Sequence, residues 1–328
     1  MSSRKNQVYV ESDQKSVTLP FDMYERVELD IKRFNINKNS FMNRIITNTQ
    51  GNRLDYSVKI IRASEKNKKI EFRLNKENFD NYEEIFGMQG SKPEEKLPDS
   101  EIIRNALAYY VTLSEYRREQ LIYQKEIDMI EEAIEKDQTI WIKYQGTRRT
   151  IEPYFLVNSK EESYNYVYGF CKKNNAYRTY RLSNLSEVIV RKERQEMKKE
   201  LLKEQGKDYL KNLKINYDPF LSYQKRVKVK FTEEGERLFG VIHYNRPKEL
   251  AKGSNGEMLV ECSEQKAIAY FSQFIDEVEI LEPLELREKF KKRLTNASKK
   301  YKWRYRVYDW TKYVALLEAS KIIDLSKN

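Results

Sequence analysis

The sequence predicts an α+β chain assembled from several modules, and three patterns carry that expectation. Apolar residues alternate and then repeat at helical spacing twice over before Glu115, and short alternating runs crowd between Ile140 and Val190. A strand–helix–strand–strand–helix–strand series follows between Val227 and Pro283. With 328 residues the chain also exceeds one typical domain of roughly 100 to 200 residues.

Charged residues make up 34% and hydrophobic ones 39%, yet 24 Tyr, 14 Phe and 3 Trp supply anchors enough to rule out wholesale disorder. Only 10 Gly and 7 Pro are present, so most of the chain should be regular structure. No apolar run reaches the length that spans a bilayer, and Met1-Ser2-Ser3-Arg4-Lys5 leads into polar sequence without a signal core, so the protein is expected in the cytoplasm and off the membrane. Cys171 and Cys262 lie far apart without CxxC or Cys/His neighbours and read as buried thiols. The net charge of +11 favours polyanionic partners, and the excess sits in the second half: eleven Lys/Arg against three acids between Leu284 and Tyr313, and eleven against five between Ile140 and Arg194.

Catalytic equipment is sparse. The single histidine, His243, falls in Val241-Ile242-His243-Tyr244, which reads as a strand, and no HExxH, GxxxxGK[ST], GxSxG or strand-linked GxGxxG occurs. Gly253-Ser254-Asn255-Gly256 is a hairpin turn, and nothing groups the acidic pairs around a metal. No cofactor or metal is expected. The expectation is a binding protein rather than an enzyme.

In residues 1–114, Ser16 to Phe21 alternates, Tyr24, Val27, Ile31 and Phe34 repeat at helical spacing, and a second helix follows with Ser40 as N-cap and Phe41, Ile45 and Ile46 inward. The order recurs. Ile70, Phe72 and Leu74 alternate, Phe79, Tyr82 and Phe86 follow, and after the insertion Met88 to Pro98, Asp99 caps a helix with Ile103, Leu107 and Tyr110. Each unit resembles the ribbon-helix-helix module of DNA-binding repressors, whose ribbon needs two paired strands, so the two units are expected to pair as a pseudo-dimer within one chain. With Val17 and Leu19 inward, Ser16, Thr18, Lys69, Glu71 and Arg73 face out, and Glu71 would repel phosphate. A structural or dimerising role and a DNA-contacting role both fit.

Residues 115–137 read as one connecting helix, with Leu121, Ile127, Ile130 and Ile134 on its apolar side. Residues 138–193 form an all-β region: Ile140 to Tyr144, Ile151 to Asn158, Tyr164 to Phe170, Ala176 to Leu182 and Val188 to Val190 are strands of a small barrel expected to close its own edges. The blocks Ile142-Lys143-Tyr144-Gln145-Gly146, Ile151-Glu152-Pro153-Tyr154, Asn165-Tyr166-Val167-Tyr168-Gly169-Phe170 and Tyr177-Arg178-Thr179-Tyr180-Arg181-Leu182 resemble a WYL domain. That resemblance implies an SH3/Sm-like β-barrel, with the signature reduced to Asn165-Tyr166-Val167. It continues past a helical linker, 194–225, into 226–283, which looks like the extension that often follows WYL domains and whose βαββαβ order is ferredoxin-like. The segment 284–328 is basic and aromatic.

Small barrels bind single strands by pairing cations for phosphates with aromatic faces for bases. The WYL resemblance implies Tyr166, Arg178 and Arg181 in a basic pocket, and alternation adds Arg148, Arg149, Tyr154 and Tyr180. Arg178 and Arg181 have opposite parity and face opposite ways on a straight strand. Lys302, Arg304 and Arg306 alternate with Tyr301, Trp303 and Tyr305, a pattern that fits an amphipathic dimerisation segment, a nucleic-acid-binding strand or a membrane-surface contact. Two functional classes stay open. The three-part architecture is similar to the WYL accessory proteins of type VI-D CRISPR systems, which implies binding of single-stranded RNA and stimulation of an RNA-guided effector RNase. The other class is a ligand-responsive transcriptional regulator that binds DNA through its N-terminus. In either class the apolar surface of the extension and tail leads to an expected homodimer.

Overall fold

The structure, a computed structural model, describes residues 13–49, 67–87, 97–159 and 162–301. The chain divides into two compact units, Met1–Leu221 and Ser222–Asn328. It is mixed helix and sheet, as expected, and none of its described helices is long and apolar enough to cross a membrane.

The first unit begins with β1 (Gln14–Leu19), α1 (Phe21–Arg33) and α2 (Lys38–Thr49), then β2 (Lys68–Arg73), the short α3 (Lys76–Asp80) and α4 (Tyr82–Phe86), and α5 (Asp99–Thr112). β1 and β2 form a two-stranded antiparallel ribbon with Val17 opposite Ile70, so pairing occurs within one chain. Alternation dictates its faces: Val17, Leu19, Ile70 and Phe72 are buried, whereas Thr18, Lys69, Glu71 and Arg73 face out. Lys69 and Glu71 form an ion pair at 2.6 Å, so Glu71 spends its charge on its own strand.

Two caps differ from the sequence reading. Asn37, one turn ahead of Ser40, accepts from the Ser40 amide at 2.8 Å. Asp99 is the first residue of α5, behind Pro98, and its carboxylate accepts from Lys15 and from the Tyr82 hydroxyl, both at 2.7 Å. The two repeats are joined by amides: buried Asn43 donates to the Arg73 carbonyl and accepts from the Asn75 amide and from Asn78.

The expected single helix over 115–137 is two helices, α6 (Glu115–Ile122) and α7 (Gln124–Glu135), broken at Tyr123. The break is held from outside. Tyr123 donates to the Phe34 carbonyl at 2.9 Å, while Asn48 and Arg44 of α2 satisfy the Leu121 and Ile122 carbonyls that close α6.

α6 carries two consecutive buried charges. Arg118, 4% exposed, donates from Nε to Asp30 of α1 at 2.6 Å and from Nη1 to the Leu113 carbonyl at 2.7 Å. Asp30, 2% exposed, also accepts from the Tyr110 hydroxyl of α5 at 2.8 Å. Phe41 meets the Tyr110 ring edge-on at 5.3 Å, adding apolar packing to the same junction.

The sheet follows: β3 (Gln138–Tyr144), β4 (Thr147–Asn158), β5 (Asn165–Cys171), β6 (Ala176–Arg181) and β7 (Leu185–Arg194), in the order β6-β5-β4-β3-β7. The expected self-closing barrel is not formed: β6 and β7 are the two outer strands, with no ladder between them among the described residues. The reason is their link, the 3-10 turn Leu182–Asn184, which turns a corner instead of continuing a hairpin. Four residues reach at most about 14 Å, while outer strands of a flat five-stranded sheet stand about 19 Å apart. The sheet is therefore bent until its edges approach. Ile140, Ile142, Ile151, Val167, Tyr180 and Val188 fill the concave side and share one core with Val17, Phe41, Leu107 and Ile130.

α8 (Met197–Gln205) and α9 (Tyr209–Ile215) end the first unit. The second contains β8 (Arg226–Phe231), α10 (Glu233–Val241), β9 (Lys248–Lys252), β10 (Glu257–Glu261), α11 (Glu264–Phe271), β11 (Val278–Glu282) and α12 (Leu284–Tyr301). Its four antiparallel strands run β11-β8-β10-β9 around a separate core that includes Val229, Phe231, Val260, Tyr270 and Phe274. His243 lies in the turn after α10 rather than on a strand, because α10 extends through Val241. Tyr301 is the last residue of a helix, not part of a strand. Lys302, Arg304 and Arg306, like the insertion at 88–96, lie outside the described residues.

Replacing Asp30 by Asn leaves Arg118 buried beside a neutral partner, so D30N should lower the unfolding free energy of the first unit by about 3–5 kcal/mol. Urea unfolding followed by far-UV circular dichroism checks this, and a midpoint within error of wild type would refute it.

Candidate nucleic-acid interface

The family-like blocks fold around a defect in β4. Register shifts between Pro153 and Phe155, and the backbone there presses against β5 so closely that a Cβ on Gly169 would strike the Glu152 carbonyl. Glycine is required at that crossing. The bulge sends a run of rings to the convex side: Phe155 stacks on Tyr168 at 5.0 Å, Tyr168 on Tyr177 at 6.2 Å, and Phe170 meets Tyr177 edge-on at 5.3 Å.

This aromatic layer is roofed. Tyr217, just past α9, packs on Phe155 and Tyr166 at 6.0 and 5.9 Å, and Thr179 donates to the Pro219 carbonyl at 2.9 Å. Fully buried Glu152 accepts from the Met197 amide at 3.0 Å, where α8 starts. The segment read as a linker thus covers the sheet.

The seven described site residues fall into four environments. Tyr154 and Tyr166 are buried in the roofed layer; burial, with Glu152 beside one hydroxyl and Glu162 bonded to the other, pushes both hydroxyls well above the ordinary tyrosine range. Tyr180 lies on the concave side against Tyr144 at 5.1 Å, and burial raises its hydroxyl too. Arg149 sits nearby, donating to Asn174 at 2.8 Å. Arg148 and Arg178 are exposed, Arg148 only loosely paired with Glu187 at 3.5 Å.

Arg181 stands apart from Arg178, as their parity requires. Its guanidinium lies 3.0 Å from the centroid of Tyr164, and it donates to Ser183 and to the Arg33 carbonyl at the end of α1. Arg33 covers the same ring at 4.3 Å and pairs with Glu115 at 2.6 Å. Arg181 is thereby a joint between sheet and N-terminal helices, and Arg33 and Tyr164 complete a cluster that strand periodicity could not reveal.

Glu119, next to Arg118, holds the signature strand. It is fully buried; Oε2 accepts from the Asn165 amide at 2.6 Å and its side chain at 2.8 Å, and Oε1 accepts from the Ser183 amide at 3.0 Å. Burial raises its carboxyl above the usual range, partly offset by those donors.

Residues 125–190 match the WYL domain family, so the chain contains a WYL domain. The fold is similar to one solved as "Crystal structure of a CRISPR Cas-related protein", with a TM-score of 0.65 and 19% identity over 91% of this chain and 96% of that one. A second structure, proteasome accessory factor B/C (PafBC) of Arthrobacter aurescens, is 19% identical over 55% of this chain and 28% of that one, with a TM-score of 0.29. No curated protein matches the chain.

Because Glu119 binds its proton more tightly folded than unfolded, where its pKa is about 4.3, its contribution to stability is full below that pH and is lost as pH rises through the elevated folded pKa. E119Q cannot titrate, so the unfolding free energy of wild type minus that of E119Q should decrease from pH 4 upward. A difference that grows with pH would contradict this.

Proposed function

We propose that this protein is a single-stranded RNA-binding accessory factor that stimulates a type VI RNA-guided RNase and cleaves nothing itself. The observation that carries the reading is the whole-chain likeness in fold to a CRISPR Cas-related protein, covering 91% of this chain, with a WYL domain at 125–190. Exposed Arg148 and Arg178 on a small bent sheet supply what phosphate capture needs. On the ribbon's outer face the Glu71 carboxylate, beside Lys69, would repel phosphate, which favours strand capture on the sheet over duplex DNA reading by the N-terminus. The chain acts as a homodimer through its second unit, whose outer strand β9 is exposed at every position. Two copies then raise the local concentration of RNA near the nuclease.

Arg178→Ala should weaken binding to an unstructured RNA and flatten the salt dependence by a slope of about 0.7 for each phosphate that is no longer neutralised, while leaving the thermal transition unchanged. Arg181→Ala, by contrast, should lower that transition, since Arg181 anchors α1. Fluorescence anisotropy and thermal melts separate the two. For function, a cleavage assay compares this protein alone, the RNase alone, and both together. Stimulation only in the combined arm is the expected result; cleavage by this protein alone, or tighter binding to duplex DNA than to RNA, would overturn the proposal.

A further inference from the structure

The convex face of β4, β3 and β7 carries a tryptophan that no core uses. Trp141 is 36% exposed in the middle strand, between Ile140 and Ile142, which point into the core. Its cross-strand neighbours are Ile189, 47% exposed, and Thr150. Arg191, two residues beyond Ile189, folds back diagonally so that its guanidinium lies 4.0 Å from the indole centroid. Toward the other end of the same face, Lys143 and Arg148 stand directly opposite one another.

Charge on this face is weakly compensated. Lys143 and Arg148 share one carboxylate, Glu187, at 3.4 and 3.5 Å, and Arg191 meets Glu193 at 3.7 Å. Three cations thus face two acids through long, solvent-exposed pairs, which contribute little and exchange readily for a phosphate. The open face of the second unit's sheet differs: along β8 and β10, Lys230 faces Glu257 and Arg226 faces Glu261, with no aromatic side chain on those rungs.

We propose that the Trp141 face is a binding site for single-stranded nucleic acid, distinct from the roofed tyrosine layer. One unpaired base stacks against the Trp141–Arg191 pair, and Lys143 and Arg148, about 7 Å along the strand, take the adjacent phosphates. A duplex presents no free base face to such a platform, so single strands are selected. The inference rests on the RNA-binding reading and assigns it a place.

The test uses the full chain and a fluorescein-labelled oligouridylate, with oligothymidylate and a duplex of equal length as comparison arms. Trp141→Ala should weaken oligouridylate binding by about 5- to 150-fold, the range of one stacked base, and Trp141→Phe should retain most of it. Lys143→Ala with Arg148→Ala should reduce the salt slope, and the unfolding midpoints should stay at the wild-type value. In a variant with Trp303→Phe and Trp310→Phe, the remaining Trp141 emission should be quenched by RNA. Wild-type affinity in Trp141→Ala would overturn this site while leaving the RNA-binding reading intact; no binding by wild type would overturn both. Loss of self-association in Trp141→Ala without loss of RNA binding would make the face an interface between copies and refute the proposal.

Discussion

Two adjacent side chains, Arg118 and Glu119, decide how the first unit is put together. Both are charged and both are buried, so each must find all its partners inside the protein. On a helix, neighbours in sequence point about 100° apart, and here that divergence is put to use. Arg118 reaches back to Asp30 and the α1–α5 junction, whereas Glu119 reaches forward to Asn165 and Ser183. One short helix therefore fastens the paired N-terminal strands and helices to the start of the signature strand and to the corner between β6 and β7. Arg181 and Arg33 repeat the connection around Tyr164.

That arrangement redistributes the chemistry expected of the sheet. Tyr217 of the segment that follows the sheet covers Phe155 and Tyr166, and one arginine of the penultimate strand is used in fastening. What faces solvent includes Arg148, Arg178 and the Trp141–Arg191 pair. A tyrosine hydroxyl raised by burial serves as a packed polar group rather than as a platform for a passing base, while an exposed indole under a guanidinium is already arranged for stacking.

Periodicity made much of the secondary structure legible, because most strands and helices had to hide one face. Val17 and Ile70, or Ile103 and Leu107, are buried where alternation and helical spacing place them. The blocks around Asn165 and Tyr177 were legible for a different reason: their order and spacing reflect the bulge at Pro153 and the tight crossing at Gly169. What periodicity could not convey was long-range partnership. Arg118-Glu119 sits in a run of charged residues outside the apolar side of the expected helix, and its burial follows only from Asp30, Asn165 and Ser183, which are distant in sequence. The break at Tyr123 depends likewise on α2, and the roofing of Tyr166 depends on Tyr217. Trp141 was not legible because alternation marks Ile140 and Ile142 as inward and says nothing of what an outward ring between them meets.

If α6 fastens the N-terminal elements to the sheet, the two must open together. Native-state hydrogen exchange at increasing urea, read by mass spectrometry on peptides from α1, α5, β5 and β7, measures this directly. A shared fastening requires that all four lose protection with one common opening free energy. Opening of α1 and α5 at distinctly lower free energy, with β5 and β7 still protected, would contradict it.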